Sequence, residues 1–460
     1  MNYELLFSEL KGRTIRMAVT GAKGGFGRTL LAQCRTIPSL EATALCDLDV
    51  EGTMRMLRSL GFAETEMVAC ETGPQVREAA AAGRTAVFRD YHLLAEAPLD
   101  IIVEATGSPE VSTQIAVDAM RRGVHVAMVS KETEATIGPA LSRVAEKHGV
   151  VYTTADGDQP SNLIGLITWA RVLGFEVVAA GKSSEYDYIF DPESGVVEWT
   201  DRRMEAPALR GLWRLGDDVP ATMRARSQAI CQLPQRATPD YCEMNVVANS
   251  TGLAPACDEL HFPLCRIAEL AEVFIPEADG GILQRTGVVD VFNCLRRPDE
   301  PSFAGGIFAV VRCHDAETWE VLRQKGHLVS RNGKYACIYV PFHIMGQEAP
   351  ITLFSAVLHK RASGAALQGL HVVMAVRTER DFRAGEVLKM GGHQHNIEGT
   401  RAFLLPATRS NCANAPFYVV ANQRLQTDVP AGTFITPEMV ELGNSTIYGY
   451  WRQMQSMLVD

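Results

Sequence analysis

The chain has 460 residues, enough for two or three domains. With 47% hydrophobic and 21% charged residues it has the balance of a globular protein with a sizeable core. A formal net charge of −10 and the absence of any basic run exclude a broad nucleic-acid surface, while leaving room for a local pocket for a small anion. No run nears the roughly 20 apolar residues that cross a bilayer. The start, Met1 to Phe7, carries Glu4 and no basic region, so it does not read as a secretory signal. The 11 cysteines are odd in number, scattered and without a Cys-x-x-Cys pair. They read as reduced thiols of a cytoplasmic protein, mostly small core residues.

Ile15 to Thr20 is a short apolar run that predicts a buried strand. It leads into Gly21-Ala-Lys-Gly24-Gly25-Phe26-Gly27, and the segment from Arg28 to Cys34 reads as a helix. Strand, glycine turn and helix in that order predict a dinucleotide site. Gly21 permits the turn, Gly24 lets the backbone approach a pyrophosphate, and Gly27 lets helix and strand pack closely. The helix start then offers free N–H groups to the phosphates. A second strand, Ala42 to Cys46, ends at Asp47, where an acid bonds the ribose hydroxyls of NAD. Asp47 also reads as a helix N-cap, and Arg55 and Arg58 leave room for the 2′-phosphate of NADP.

Leu99 to Glu104 predicts another buried strand, entering a turn at Thr106-Gly107 that faces the nicotinamide half of the cofactor. A helix is expected over 111–122. The strand Val124 to Val129 ends at Ser130-Lys131-Glu132, and Val150 to Thr154 ends at Asp156-Gly-Asp158-Gln159-Pro160. The strand Glu176 to Ala180 ends at Gly181-Lys182. Strand ends of a doubly wound sheet face the ligand crevice, so Lys131, Asp158 and Lys182 become catalytic candidates. A partly desolvated lysine suits the task of polarising a carbonyl and passing a proton. Against this, both lysines also read as surface residues, Asp156 and Asp158 as turn and cap residues, and Glu132 as a helix-start acid.

These segments carry a resemblance. The glycine turn, Glu104-Ala-Thr-Gly107 and Val129-Ser-Lys131 resemble homoserine dehydrogenase and its relatives. Gly157-Asp-Gln-Pro160, Val178-Ala-Ala-Gly-Lys182, Val247-Ala-Asn249-Ser-Thr-Gly-Leu253 and Pro341-Phe-His343 resemble a subfamily with a C-terminal SAF-type domain. That subfamily includes proteins like 1-deoxy-D-xylulose 5-phosphate reductoisomerase. The resemblance implies an α/β protein with three parts. They are a Rossmann domain over 1–155, a central α+β catalytic and dimerisation domain over 156–367, and a small β-rich domain over 368–460. It implies NAD or NADP as cofactor, a small polar alcohol or carbonyl substrate and a homodimer. It places Lys131 beside the nicotinamide, Lys182 near the substrate carbonyl and Asn249 in a polar turn, after an apolar strand, lining the substrate pocket. Gln159 and His343, inside matching segments, join Asn249 as substrate-binding candidates. One departure stands out: Arg236-Ala-Thr-Pro-Asp240-Tyr-Cys-Glu243 lacks the lysine that these enzymes carry there.

Two other functions stay open. A reductoisomerase needs a divalent metal, for which Asp156, Asp158 and Glu185 are the nearby acids. A sensor would bind cofactor without turnover. Arg296-Arg297 reads as a solvated loop, and His327 as structural. Gly391-Gly-His393-Gln-His395 reads as a tight turn rather than a metal site, so no metal residue is expected. Near the end, Asp381-Phe-Arg-Ala384-Gly385 recurs as Asp428-Val-Pro-Ala431-Gly432, which points to a duplicated β-rich module. Thr436-Pro437 reads as a helix start.

Overall fold

A computed structural model describes residues 1–391 and 395–458. The chain forms two compact units, neither continuous in sequence. The first contains residues 1–161, 344–370 and 442–460; the second contains residues 162–343 and 371–441.

The first unit is built on strands β1 (Ile15–Thr20), β2 (Leu40–Cys46), β3 (Met67–Ala69), β4 (Thr85–Phe88), β5 (Ile101–Glu104), β6 (His125–Met128) and β7 (Tyr152–Thr154). Helices α1 (Gly25–Cys34), α2 (Val50–Ser59), α3 (Gly73–Ala81), α4 (Pro109–Arg121) and α5 (Lys131–His148) alternate with them. The strands pair in parallel in the order β3-β4-β2-β1-β5-β6-β7. β1 and β5 are central, and burial on both faces explains their mainly apolar runs. The strand order reverses between β1 and β5, which opens a crevice at their carboxyl ends. Two late segments complete this unit, and the helix Ala349–His359 adds Leu353 and Phe354 to its core.

Helix α6 (Gln159–Val172) carries the chain into the second unit. A mixed sheet there contains β8 (Val177–Ser183), β9 (Tyr188–Asp191), β10 (Val196–Trp199) and β11 (Arg202–Glu205). Helices α7 (Val219–Ala229) and α8 (Thr238–Thr251) follow. The sheet continues with β12 (Ala254–Pro255), β13 (Leu264–Cys265), β14 (Val288–Arg296), β15 (Ile307–Arg312), β16 (Leu328–Val329) and β17 (Tyr335–Val340). β8 lies between β14, which is parallel to it, and β15, which is antiparallel. α8 starts with Pro239 in its first turn and ends at left-handed Gly252. The expected strand before Asn249 is therefore helical. Val246, Val247 and Ala248 are apolar because α8 is buried on all sides.

The carboxyl-terminal part of this unit is β-rich: β18 (Val372–Thr378), β19 (Met390–Gly391), β20 (Asn396–Ile397) and β21 (Thr400–Pro406) form two short antiparallel pairs. The two Asp-x-x-Ala-Gly segments clasp each other here. Asp381 Oδ1 accepts from Ala431 N, and Asp428 Oδ1 accepts from Ala384 N, each at 2.8 Å. Phe382 and Val429 exchange backbone hydrogen bonds in both directions. Thr436-Pro437 starts only a single 3-10 turn, Pro437–Met439. Among the described residues no helix is long and apolar enough to cross a membrane.

Candidate functional site

The glycine turn follows β1 at the reversal point of the first sheet. A Cβ on Gly21 would lie 2.2 Å from the Ala105 carbonyl oxygen, at the end of β5, and the residue is left-handed at φ +61. Only glycine lets these two strand ends approach. A Cβ on Gly27 would lie 2.6 Å from the Ala22 carbonyl oxygen, so this glycine brings α1 against the turn. Gly24 is the N-cap of α1 and has no side chain to satisfy the first-turn N–H groups, and no acid lies in that turn. Helix start, Gly24 and exposed Gly25 thus fit a dinucleotide pyrophosphate, with Phe26 half-buried beside them.

Asp47 braces this turn. Its Oδ2 accepts from Lys23 N at 2.9 Å and its Oδ1 from Asp49 N at 3.0 Å. The N-cap of α2 is Asp49, which accepts from Gly52 N, and not Asp47. Arg55 pairs with Glu51 and Arg58 with Glu64. Across the crevice, fully buried Glu104 accepts from Thr20 and Ser112 hydroxyls and from both the hydroxyl and N–H of Thr106. Gly107 N donates to Ser130 Oγ at 2.8 Å. The Thr106-Gly107 turn is thereby fixed from two sides. Met345, unmarked by any sequence signal, places its methyl 3.3 Å from where a Gly25 Cβ would stand.

Lys131 opens α5 and is half-buried. Asp158 Oδ1 accepts from Gln159 N at 2.9 Å, and Gln159 is buried. Asp156 is committed to structure: its oxygens accept from the hydroxyls of Ser161, Thr352 and Ser363. Glu185, the third acid considered for a metal, is exposed beside Tyr186. Among the described residues no group of three or more His, Cys, Asp or Glu is arranged to hold a metal ion. Gly392, His393 and Gln394 lie outside the described residues.

In the second unit Lys182 lies within β8 rather than beyond its end, and it is 1% exposed rather than partly desolvated. Its Nζ stands 2.7 Å from Asp240 Oδ1 and pairs also with Glu243. Both acids come from α8 and are buried. The segment that lacks its own lysine thus receives an ammonium group from β8. Ser184 Oγ donates to Asp240 Oδ2 at 2.7 Å. Burial holds the Asp240 carboxyl above its ordinary range; Lys182 opposes this and Glu243 adds to it. Asp240 and Glu243 were noted in sequence only for the missing lysine, because 58 and 61 residues separate them from Lys182.

Asn249 does not lie in a polar turn. It is on α8, buried, and its Oδ1 accepts from His371 N and Val372 N at 2.8 and 3.0 Å. Its amide also donates to Asn245. It ties β18 to α8. His343 is half-buried, with Nδ1 3.0 Å from the Gly305 carbonyl oxygen. Arg296 ends β14 and pairs with buried Asp187 at 2.6 Å, so it is not a solvated-loop residue, and Arg297 lies over Trp213. His327 is exposed.

Residues 40–154 match the family model described as the NAD-binding domain of homoserine dehydrogenase. Residues 157–349 match the model described as oxidoreductase DRL, catalytic domain. The glycine turn lies ahead of the first match. No curated protein matches the chain. Solved structures with similarity include a DOX-P reductoisomerase with fosmidomycin and magnesium, at 14% identity over 52% of this chain and 58% of that one, TM-score 0.31. Another is the WlbA dehydrogenase from Bordetella pertussis in complex with NADH and UDP-GlcNAcA, at 17% identity over 39% and 49%, TM-score 0.25. A dipicolinate-bound dihydrodipicolinate reductase from Paenisporosarcina sp. TG-14 shares 11% identity over 76% and 97%, TM-score 0.34. The chain spans about half the length of the first of these structures. It carries an NAD-binding domain followed by an oxidoreductase catalytic domain.

Proposed function

We propose that the protein moves a hydride between NAD or NADP and the carbonyl or alcohol carbon of a small polar substrate. Lys182, Asp240 and Glu243 would manage the substrate oxygen and its proton. The observation that carries this reading is the Lys182 cluster: an ammonium group withdrawn from water between two buried carboxylates. One lysine with two acids leaves a negative charge that burial disfavours, so the cluster gains by holding one extra proton. Burial raises the Asp240 carboxyl, which supports this reading.

A nicotinamide bound there would supply or accept the hydride. The first turn of α1 would hold the pyrophosphate, and Asp47 and the Thr106-Gly107 turn would hold the two ends of the dinucleotide. In the reducing direction Lys182 donates an N–H to the substrate oxygen and transfers a proton as that oxygen gains charge. Asp240 then returns a proton to Lys182. Lys131 and Asp158 orient substrate and nicotinamide. A SAF-like character for residues 368–460, of which 371–441 lie in the second unit, is a further part of this reading, supported by the clasped repeat.

The test is Lys182→Met, which keeps the side-chain volume. Turnover should fall by about 10²- to 10⁴-fold while fluorescence titration shows unchanged cofactor binding. The assay follows reduced-nicotinamide absorbance over homoserine, 1-deoxy-D-xylulose 5-phosphate and several sugar acids, with and without chelator. Near-normal turnover in the variant would remove Lys182 from the chemistry.

A further inference from the structure

The second unit encloses a cavity of about 580 Å³ on the far side of its sheet from the Lys182 cluster. Asp290 and Gly181 are register partners on β14 and β8, and Val291 partners Lys182. Side chains alternate along a strand, so Asp290 and Lys182 project from opposite faces. The Lys182 face is covered by α8, which supplies Asp240 and Glu243. On the other face Phe292, two residues beyond Asp290, shares a core cluster with Met223 of α7. Met223 is also a wall of the cavity.

One wall is built around a histidine that cannot turn. Asp290 is fully buried, and its Oδ2 lies 2.6 Å from His261 Nδ1. Its Oδ1 accepts from His261 N and from Val291 N, each at 2.9 Å. One carboxylate thus fixes both the backbone and the ring of His261. Leu260 and Phe262, on either side of it, are left-handed at φ 51 and 50. Strain at a branched and an aromatic residue persists only where the surroundings over-determine it. Part of that restraint comes from Asn293, whose Nδ2 donates to the Phe262 carbonyl oxygen at 3.1 Å. Burial works against a charged His261 ring, but the Asp290 charge and hydrogen bond outweigh it and push its pKa up to about 10. Nδ1 is committed to Asp290, so Nε2 carries the remaining N–H of the imidazolium.

His261 lines the cavity, and Arg224, exposed on α7, adds a second cationic side chain to the lining. Glu277, exposed, is the acid in the lining. Met223, Phe262 and Ile282 supply apolar walls. A cavity of this size, apolar with a few fixed polar groups, suits a small organic molecule. The geometry points to a second binding site, separate from the hydride-transfer site, that takes a small organic carboxylate with a compact apolar body. The carboxylate pairs with the His261 imidazolium and the Arg224 guanidinium, and the body packs on Met223, Phe262 and Ile282.

The probe is benzoate, with benzamide as its uncharged counterpart, titrated into the full-length protein at pH 7 and followed by saturation-transfer NMR. Benzoate should bind at about 1 mM or tighter, and benzamide at least about tenfold more weakly. His261→Gln should weaken benzoate about tenfold, and Arg224→Gln, on an exposed helix face where folding is not at stake, about threefold. Lys182→Met and saturating NADPH should leave benzoate binding unchanged, which separates this site from the proposed hydride-transfer chemistry. No benzoate binding, equal binding of benzamide, or benzoate binding untouched by both His261→Gln and Arg224→Gln would overturn the assignment. So would a loss of binding in Lys182→Met or competition by NADPH.

Discussion

Glu134 shows how a single buried acid shapes the pH response of the first unit. It is wholly enclosed on α5, and burial pushes its carboxyl up to about 8, against the donated hydrogen bond from Gln368 Nε2 at 2.7 Å and with a small contribution from Asp158. The folded protein therefore keeps a proton here that the unfolded chain releases near the ordinary value of 4.5. Stability falls as pH rises through that window, by up to about 1.4 kcal/mol per pH unit, and levels off above pH 8. Glu134→Gln removes the titration, so its melting temperature relative to wild type should climb between pH 5 and pH 8 in calorimetry. A difference that stays flat across that range would show that Glu134 is not held protonated. Gly21 is a backbone case at the same scale. Gly21→Ala must fit a Cβ 2.2 Å from the Ala105 oxygen at positive φ, so it should cost about 1–3 kcal/mol and weaken cofactor binding, both measurable by denaturant titration.

Elements make plain why some of the site was legible and some was not. The glycine turn could be read because strand, turn and helix are contiguous, and the contacts of Gly21 and Gly27 lie within it or one strand away. The Asp-x-x-Ala-Gly repeat could be read because it recurs with the same spacing, and the fold uses the two copies reciprocally. Gly385 N donates to Leu425 O and Gly432 N to Thr378 O, equivalent bonds across the clasp. Asp428→Ala should accelerate amide exchange at Ala384 about tenfold, and Asp381→Ala should do the same at Ala431, at neutral pH. The Asp428 carboxyl is held below its ordinary range by the Ala384 N–H and by Arg383, so its contribution is present above that range and lost only as pH falls through the lower folded value. α8 was misread because Val246-Val247-Ala248 satisfies a strand pattern as well as a helix buried on every side. Periodicity carries little information when no face meets solvent. The Lys182 cluster was hidden for a different reason: its partners are adjacent only after β8 and α8 have packed.

For the whole molecule, the contiguous three-domain scheme assumed that neighbours in sequence fold together. Instead, Gln368 reaches Glu134, Thr352 and Ser363 reach Asp156, and Glu110 accepts from Ser445 and from Thr446 N at 2.6 Å. Residues 344–370 and 442–460 thus belong to the unit that carries the glycine turn. This makes a prediction about where cofactor binding is felt. A ligand that binds only the folded state adds stability of about 2.7 kcal/mol at a hundredfold excess over its dissociation constant. If the dinucleotide binds at the α1 start, hydrogen exchange with saturating cofactor should slow across β1 to β7 and equally in the helices Ala349–His359 and Thr446–Met454. Those helices lie more than 300 residues downstream of the glycine turn, yet the first shares its core and the second packs against α4 and α5. Lys182→Met should leave this pattern intact, because the variant alters the other unit. Protection confined to residues 1–161 would mean that the late segments open independently of the sheet they complete.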